Sequence, residues 1–233
     1  MLTQEEMERY AVQMSLCQFG REAQNRLKAA SIAVVGAGGL GCPALHYLVT
    51  AGIGQITIFD PDQIELKNLH RQGLYHKADI GQAKAQVACD QLASFNPHVD
   101  LRARVERITA ANAETHLRGF DLVLDASDNF ATRYVINDAC DALQQHWIYA
   151  AVNRFNAQVG LFGPGCLNYR TLYPEPPVQT TTCTENGVVG PFLGIVGSIQ
   201  ALEAIKWIAG IDSPLAGKLL VLDALTWKLH LFF

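Results

Sequence analysis

Six consecutive residues, Gly36-Ala37-Gly38-Gly39-Leu40-Gly41, restrict what this chain can fold into more than any other stretch of it. They follow the apolar run Ile32-Ala33-Val34-Val35 and open a second apolar run that continues to about Gly52. A strand that passes through glycines directly into a helix lets backbone approach a phosphate-bearing ligand, and the helix N-terminus offers that ligand unpaired N–H groups. The next apolar run, Ile56-Thr57-Ile58-Phe59, ends at Asp60, 24 residues after Gly36. A carboxylate there can accept hydrogen bonds from ribose hydroxyls. The segment therefore predicts a β-loop-α-β unit that binds a nucleotide through Gly36, Gly38, Gly39, Gly41 and Asp60.

The same alternation runs through the first 150 residues. A capping box of Thr3 and Glu6 predicts a first helix from about Gln4 to Gln18, ended by Gly20, with a second from Arg21 to Ala30. Further helices are expected over Ala83–Phe95, Ala110–Leu117 and Ala131–Gln144, with strands at Val99–Val105 and Leu122–Asp125. Leu122-Val123-Leu124 is apolar throughout, as in strands buried on both faces. After Trp147 the crossover helices thin out, and Ala157–Phe162, Leu219–Leu222 and Trp227–Phe232 read as strands of an antiparallel extension. The expected fold is thus Rossmann-like: a doubly wound, mostly parallel α/β sheet extended by C-terminal antiparallel strands. A single domain is expected, with N-terminal helices over 1–30, a nucleotide-binding part over 31–150 and a sheet extension over 151–233. Gly163–Gly187, rich in Pro and Thr, is longer than a simple connection requires, as functional loops are.

Composition narrows the partners. A formal net charge of -4 argues against nucleic acid or an anionic membrane as the main partner. The polar, acidic start Met1-Leu2-Thr3-Gln4-Glu5-Glu6 has no signal-peptide pattern, and the six cysteines are scattered, so a cytoplasmic protein with reduced thiols is expected. Val188–Gly210 is apolar, but Glu203 and Lys206 make a buried helix a better reading than a membrane span.

The glycine fingerprint alone would suit an NAD-dependent dehydrogenase equally well. A second set of polar residues, Asp62, Asn68, Arg71, Lys84, Asp128 and Asn129, at expected strand ends and loops, suits a triphosphate instead, and no hydride-handling constellation accompanies it. Attack at an α-phosphorus calls for cations on the departing phosphates, which Arg71 and Lys84 can supply. Asp128, just past the strand ending at Asp125, is placed to hold Mg²⁺, which favours one or two carboxylates beside phosphate oxygens. ATP and Mg²⁺ are the cofactors this reading implies.

At these residues the sequence resembles the ThiF/MoeB/HesA family, bacterial relatives of ubiquitin-activating enzymes. The glycine cluster, Asp60-Pro61-Asp62, Asn68-Leu69-His70-Arg71-Gln72, Gly81-Gln82-Ala83-Lys84, Asn96-Pro97, Asp125-Ala126-Ser127-Asp128-Asn129, Gly187-Val188-Val189-Gly190-Pro191 and Gln200-Ala201-Leu202-Glu203-Ala204-Ile205-Lys206 occur in family order. The resemblance implies that Gly39, Asp60, Asn68, Arg71, Lys84, Asp128 and Asn129 contact ATP or its metal. It implies adenylation of the C-terminal glycine of a ubiquitin-like sulfur carrier, ThiS- or MoaD-like and ending in Gly-Gly, by a homodimer, with a sulfurtransferase as a further partner. Cys183 matches the cysteine that takes part in sulfur transfer in ThiF-like members; an inert loop cysteine is the alternative. Cys183 and the Gly187–Pro191 segment lean towards thiamine biosynthesis, with molybdopterin and specialised sulfur transfer open.

Two departures from the family pattern stand out. Asn168 and Thr171 occupy the places of a zinc-binding Cys-x-x-Cys pair, so no zinc site is expected. In Arg9-Tyr10-Ala11-Val12-Gln13, Val12 replaces an arginine that in relatives reaches across a dimer to the triphosphate. A degenerate member that binds without turnover, or the adenylating half of a heteromeric pair, is therefore the alternative to a self-sufficient enzyme.

Overall fold

The computed structural model describes residues 1–175 and 187–232. Its centre is an eight-stranded sheet in the order β3-β2-β1-β4-β5-β6-β7-β8. The strands are β1 (Ser31–Val35), β2 (Gln55–Phe59), β3 (Asp100–Arg104), β4 (Leu122–Asp125), β5 (Trp147–Asn153), β6 (Asn156–Phe162), β7 (Leu219–Asp223) and β8 (Lys228–Phe232). The first five run parallel and the last three antiparallel, as expected of a doubly wound sheet with an antiparallel extension.

The central strands carry apolar residues continuously because both faces are covered. Ile32 and Val34 of β1 join one core layer, while Ala33 and Val35 join the other. One face receives α3 (Gly20–Ala29), α4 (Gly41–Ala51), α5 (Lys84–Ala93) and α9 (Gly190–Ala209); the opposite face receives α6 (Ala113–Leu117), α7 (Phe130–Leu143) and α8 (Tyr169–Leu172). Although α9 is apolar and long enough to cross a membrane, it packs against α3, α4, β5 and β6, and its Glu203 and Lys206 pair at 2.9 Å.

Several expected boundaries move, each for a local reason. The Thr3–Glu6 capping box forms, but the first helix divides into α1 (Gln4–Arg9) and α2 (Ala11–Met14). At the break Tyr10 is buried, and its hydroxyl accepts a 2.7 Å hydrogen bond from Asn96. Gly20 opens α3 rather than closing the first helix. The helix expected from Ala110 starts at Ala113, because Asn112 accepts from the Thr109 N–H (2.8 Å) and donates to the Arg107 carbonyl (3.0 Å), fixing a turn before it. β5 is a full parallel strand that lay hidden in the change of pattern after Trp147. The short helix α8 interrupts the expected 163–187 loop. At the far edge, all five residues of β8 are exposed, among them Leu229, Leu231 and Phe232.

Candidate functional site

Strand order reverses between β1 and β4, and at their carboxyl ends lies a cleft of about 270 Å³. Open α/β sheets bind ligands at such switch points. Val35 leads into Gly36, whose φ of +103° and close approach to the Ala126 carbonyl oxygen, 2.7 Å from where a Cβ would stand, admit only glycine. Gly36, Gly38 and Gly39 line the cleft. A Cβ on Gly39 would come within 2.6 Å of Leu193 on α9. Gly41 is placed differently: it packs behind the turn, against the Gly36 carbonyl, and is not among the cleft-lining residues. The N-terminus of α4 therefore opens onto the cleft across a stretch of bare glycine backbone.

Beyond β2, Asp60 is buried and its two carboxylate oxygens accept the Ala37 N–H (2.8 Å) and the Asp62 N–H (2.9 Å). Burial raises its carboxyl above the ordinary value, opposed by those N–H groups and Lys84. A carboxylate oxygen has a second lone pair, so capacity for ribose hydroxyls remains. Lys84, the first residue of α5, is buried, and its Nζ donates to Asp62 Oδ2 at 3.0 Å. Asn68 is also buried and accepts the Glu65 N–H. Arg71 Nη1 donates to the Lys67 carbonyl at 2.8 Å. Beside it Gln72, which the sequence reading left unassigned, has a buried Oε1 without a hydrogen-bond partner among the described residues.

The opposite wall is the turn after β4. Asp125 is fully buried, and burial pushes its carboxyl up to about 6, against the pull of Arg133 at 3.8 Å. Asp125 Oδ1 accepts the Ser127 N–H, Arg133 Nη2 donates to the Ser127 carbonyl at 3.3 Å, and Gln200 of α9 donates to the Asp125 carbonyl at 2.7 Å. This framework presents Asp128, exposed at the cleft, next to Asn129, which caps α7 by accepting the Thr132 N–H. Gly36, Gly38, Gly39, Asp60, Asp62, Asn68, Arg71, Lys84, Asp128 and Asn129 thus converge on one cleft. Sequence reasoning missed Arg107, Arg133 and Gln72. Arg133 could have been found, since it shares the buried phase of α7 with Asn137 and Cys140.

Comparison with known proteins decides the family. Residues 10–232 match the ThiF family. The chain belongs to that family. It is 48% identical to the sulfur carrier protein adenylyltransferase of Thermus thermophilus over 231 residues, which cover 96% of this chain and 85% of that protein. It is 42% identical to the probable adenylyltransferase/sulfurtransferase MoeZ of Mycobacterium tuberculosis, covering 96% of this chain but 59% of MoeZ. Among solved structures, E. coli MccB with ATP superposes with a TM-score of 0.79 at 25% identity, over 91% of this chain and 65% of that one.

Asn168, one of the two positions where the family resemblance places zinc cysteines, has other work in this ThiF-family chain. Asn168 caps α8 by accepting the Arg170 N–H, and Arg170 grips Asp138 of α7 through two bonds of 2.7 and 2.6 Å. The Arg170 guanidinium holds the Asp138 carboxyl below the ordinary value. Cys183 lies outside the described residues.

Proposed function

We propose that this chain is a nucleotidyltransferase that adenylates the C-terminal glycine carboxylate of a ubiquitin-like sulfur-carrier protein, with ATP as the adenylyl donor. One observation carries the reading: the glycine turn, Asp60, Arg71, Lys84 and Asp128 gather at a single switch-point cleft in a ThiF-family chain whose Thermus relative is named for this reaction. The cleft suits a nucleotide because its floor is bare glycine backbone and because Gln72 Oε1 is buried without a partner among the described residues.

In the reaction the carrier's terminal carboxylate oxygen attacks the α-phosphorus of ATP. The bond from that phosphorus to the bridging oxygen breaks, and pyrophosphate leaves with the electron pair. No general base is needed, since a carboxylate is ionised at neutral pH. The α4 N-terminus and the Gly38-Gly39 backbone hold the phosphates, Asp60 holds the ribose, and Arg71 and Lys84 balance the charge that develops on pyrophosphate. Mg²⁺, held by Asp128 together with phosphate oxygens, would add neutralising charge there.

The same reading extends to assembly and setting. The carrier-facing part is assigned to residues 151–233. A homodimer is supported by an apolar groove lined by Pro43, Tyr47, Pro191, Ile195 and Leu202, which is continuous with the cleft through Gly39 and Arg71. Cytoplasmic service fits the five free thiols among the described residues, and a sulfurtransferase partner and thiamine-type service fit the Cys183 motif. Binding without turnover is the second reading, favoured by Val12 in place of arginine. Carrier-dependent exchange of labelled pyrophosphate into ATP separates the two: exchange is expected, and nucleotide binding without exchange would establish the second reading.

A further inference from the structure

The loop between β3 and α6 contributes a cation to the cleft that neither the sequence motifs nor the family pattern singles out. Arg107 lines the cleft, and its Nη2 lies 3.8 Å from Asp62 Oδ1, while the other oxygen of the same carboxylate receives Lys84 Nζ at 3.0 Å. One carboxylate therefore serves two cations. The backbone under Arg107 is fixed, because Asn112 takes its carbonyl and the Thr109 N–H, and Ile108 beside it is buried. The side chain itself is 61% exposed and free to swing. Neighbouring charges do not compete for it: Glu106 turns away to His116 at 3.0 Å, and Glu65 is paired with Lys67 at 2.9 Å.

An exposed ion pair of this length contributes little by itself. A polyphosphate offers a guanidinium far more, through charge-assisted bonds that fit its planar fork. We propose that Arg107 is a further nucleotide-binding residue, which swings from Asp62 to the polyphosphate of ATP and joins Lys84 there. Asp62 then acts as a stand-in anion that keeps both cations over the cleft between ligands. The inference rests on the nucleotide reading above.

Calorimetric titration of the intact protein with ATP and with AMP tests it. Arg107→Ala is expected to weaken ATP binding at least ~10-fold, the lower end for a hydrogen bond to a charged group, and to change AMP binding less than about twofold. Arg107→Lys should recover part of the loss, since charge returns without the fork. Equal weakening for ATP and AMP would overturn the proposal by placing Arg107 on the base or ribose, and unchanged ATP binding would overturn it outright. Failure of the unaltered protein to bind ATP would refute the nucleotide reading and the inference with it. That result is distinct from normal binding in both proteins, which refutes the inference alone.

Discussion

Replacing Asp125 with asparagine should change how stability depends on pH. Burial raises the Asp125 carboxyl to about 6, with Arg133 pulling the other way. An ordinary aspartate titrates near 4, so this displacement corresponds to about 3 kcal/mol. The sign follows from which state holds the proton more tightly. Here it is the folded state, so the group's contribution to stability is complete below about pH 4 and is lost as pH rises through about 6. Asparagine keeps the carbonyl that accepts the Ser127 N–H but has no proton to lose. Urea denaturation of both proteins at intervals from pH 4 to pH 7 measures the effect. The stability of the parent relative to Asp125→Asn should fall by about 2 kcal/mol over that range, most of the remainder having been lost below pH 4. Asp60, Glu6 and Asp138, whose carboxyls are also displaced, are common to both proteins and cancel in the difference. A difference that does not vary with pH would refute the reasoning, because it would mean that the Asp125 carboxyl is as well solvated folded as unfolded.

Asp128→Ala should lower pyrophosphate exchange at least ~100-fold while leaving the melting temperature nearly unchanged, since the side chain is exposed and acts on developing charge; activity within a few-fold of the parent would remove it from the mechanism. Gly36→Ala should destabilise by roughly 2–5 kcal/mol, lowering the melting temperature by about 5 °C or more, because the new Cβ meets backbone at a positive φ; an unchanged melting curve would contradict that geometry. Arg9→Ala should cost less than about threefold in exchange, well below a phosphate contact, because Arg9 is committed to the Phe95 carbonyl at 2.9 Å. Val12→Arg, at a site that is 84% exposed, should raise exchange by restoring the family arginine towards a partner subunit; no change would mean that α2 does not reach a partner's nucleotide.

The parallel sheet was legible because its strands are buried on both faces, and burial of that kind writes an uninterrupted apolar run. Gly36, Asp60, Lys84 and Asp128 were legible because glycines, carboxylates and a lysine at strand ends and helix starts follow the nucleotide-binding pattern. The break at Tyr10 was not, since it depends on Asn96, 86 residues away in sequence, whose amide holds the Tyr10 hydroxyl. Arg107 escaped for a similar reason: a lone arginine in a loop becomes informative only when the fold sets it beside Asp62. Gly41 matched the fingerprint, yet the structure uses it to pack helix against turn. α8 depends on contacts to α7, such as the Tyr169 N–H to Asn137 Oδ1 at 2.9 Å, that no local pattern announces.

The outermost hairpin has a kinetic consequence. Among the described residues β8 pairs only with β7, across a tight turn in which Asp223 accepts the Leu225 N–H and the Thr226 hydroxyl, and no β8 residue lines the nucleotide cleft. It can therefore peel away without disturbing β1 or β4, which lie deep in the sheet. In deuterated solvent the amides of β8 exchange through this local opening, whereas those of β1 and β4 wait for the whole domain to unfold. The expected result is a gradient of opening rates along the sheet, slow at β1 and β4 beside the nucleotide cleft and fast at β8.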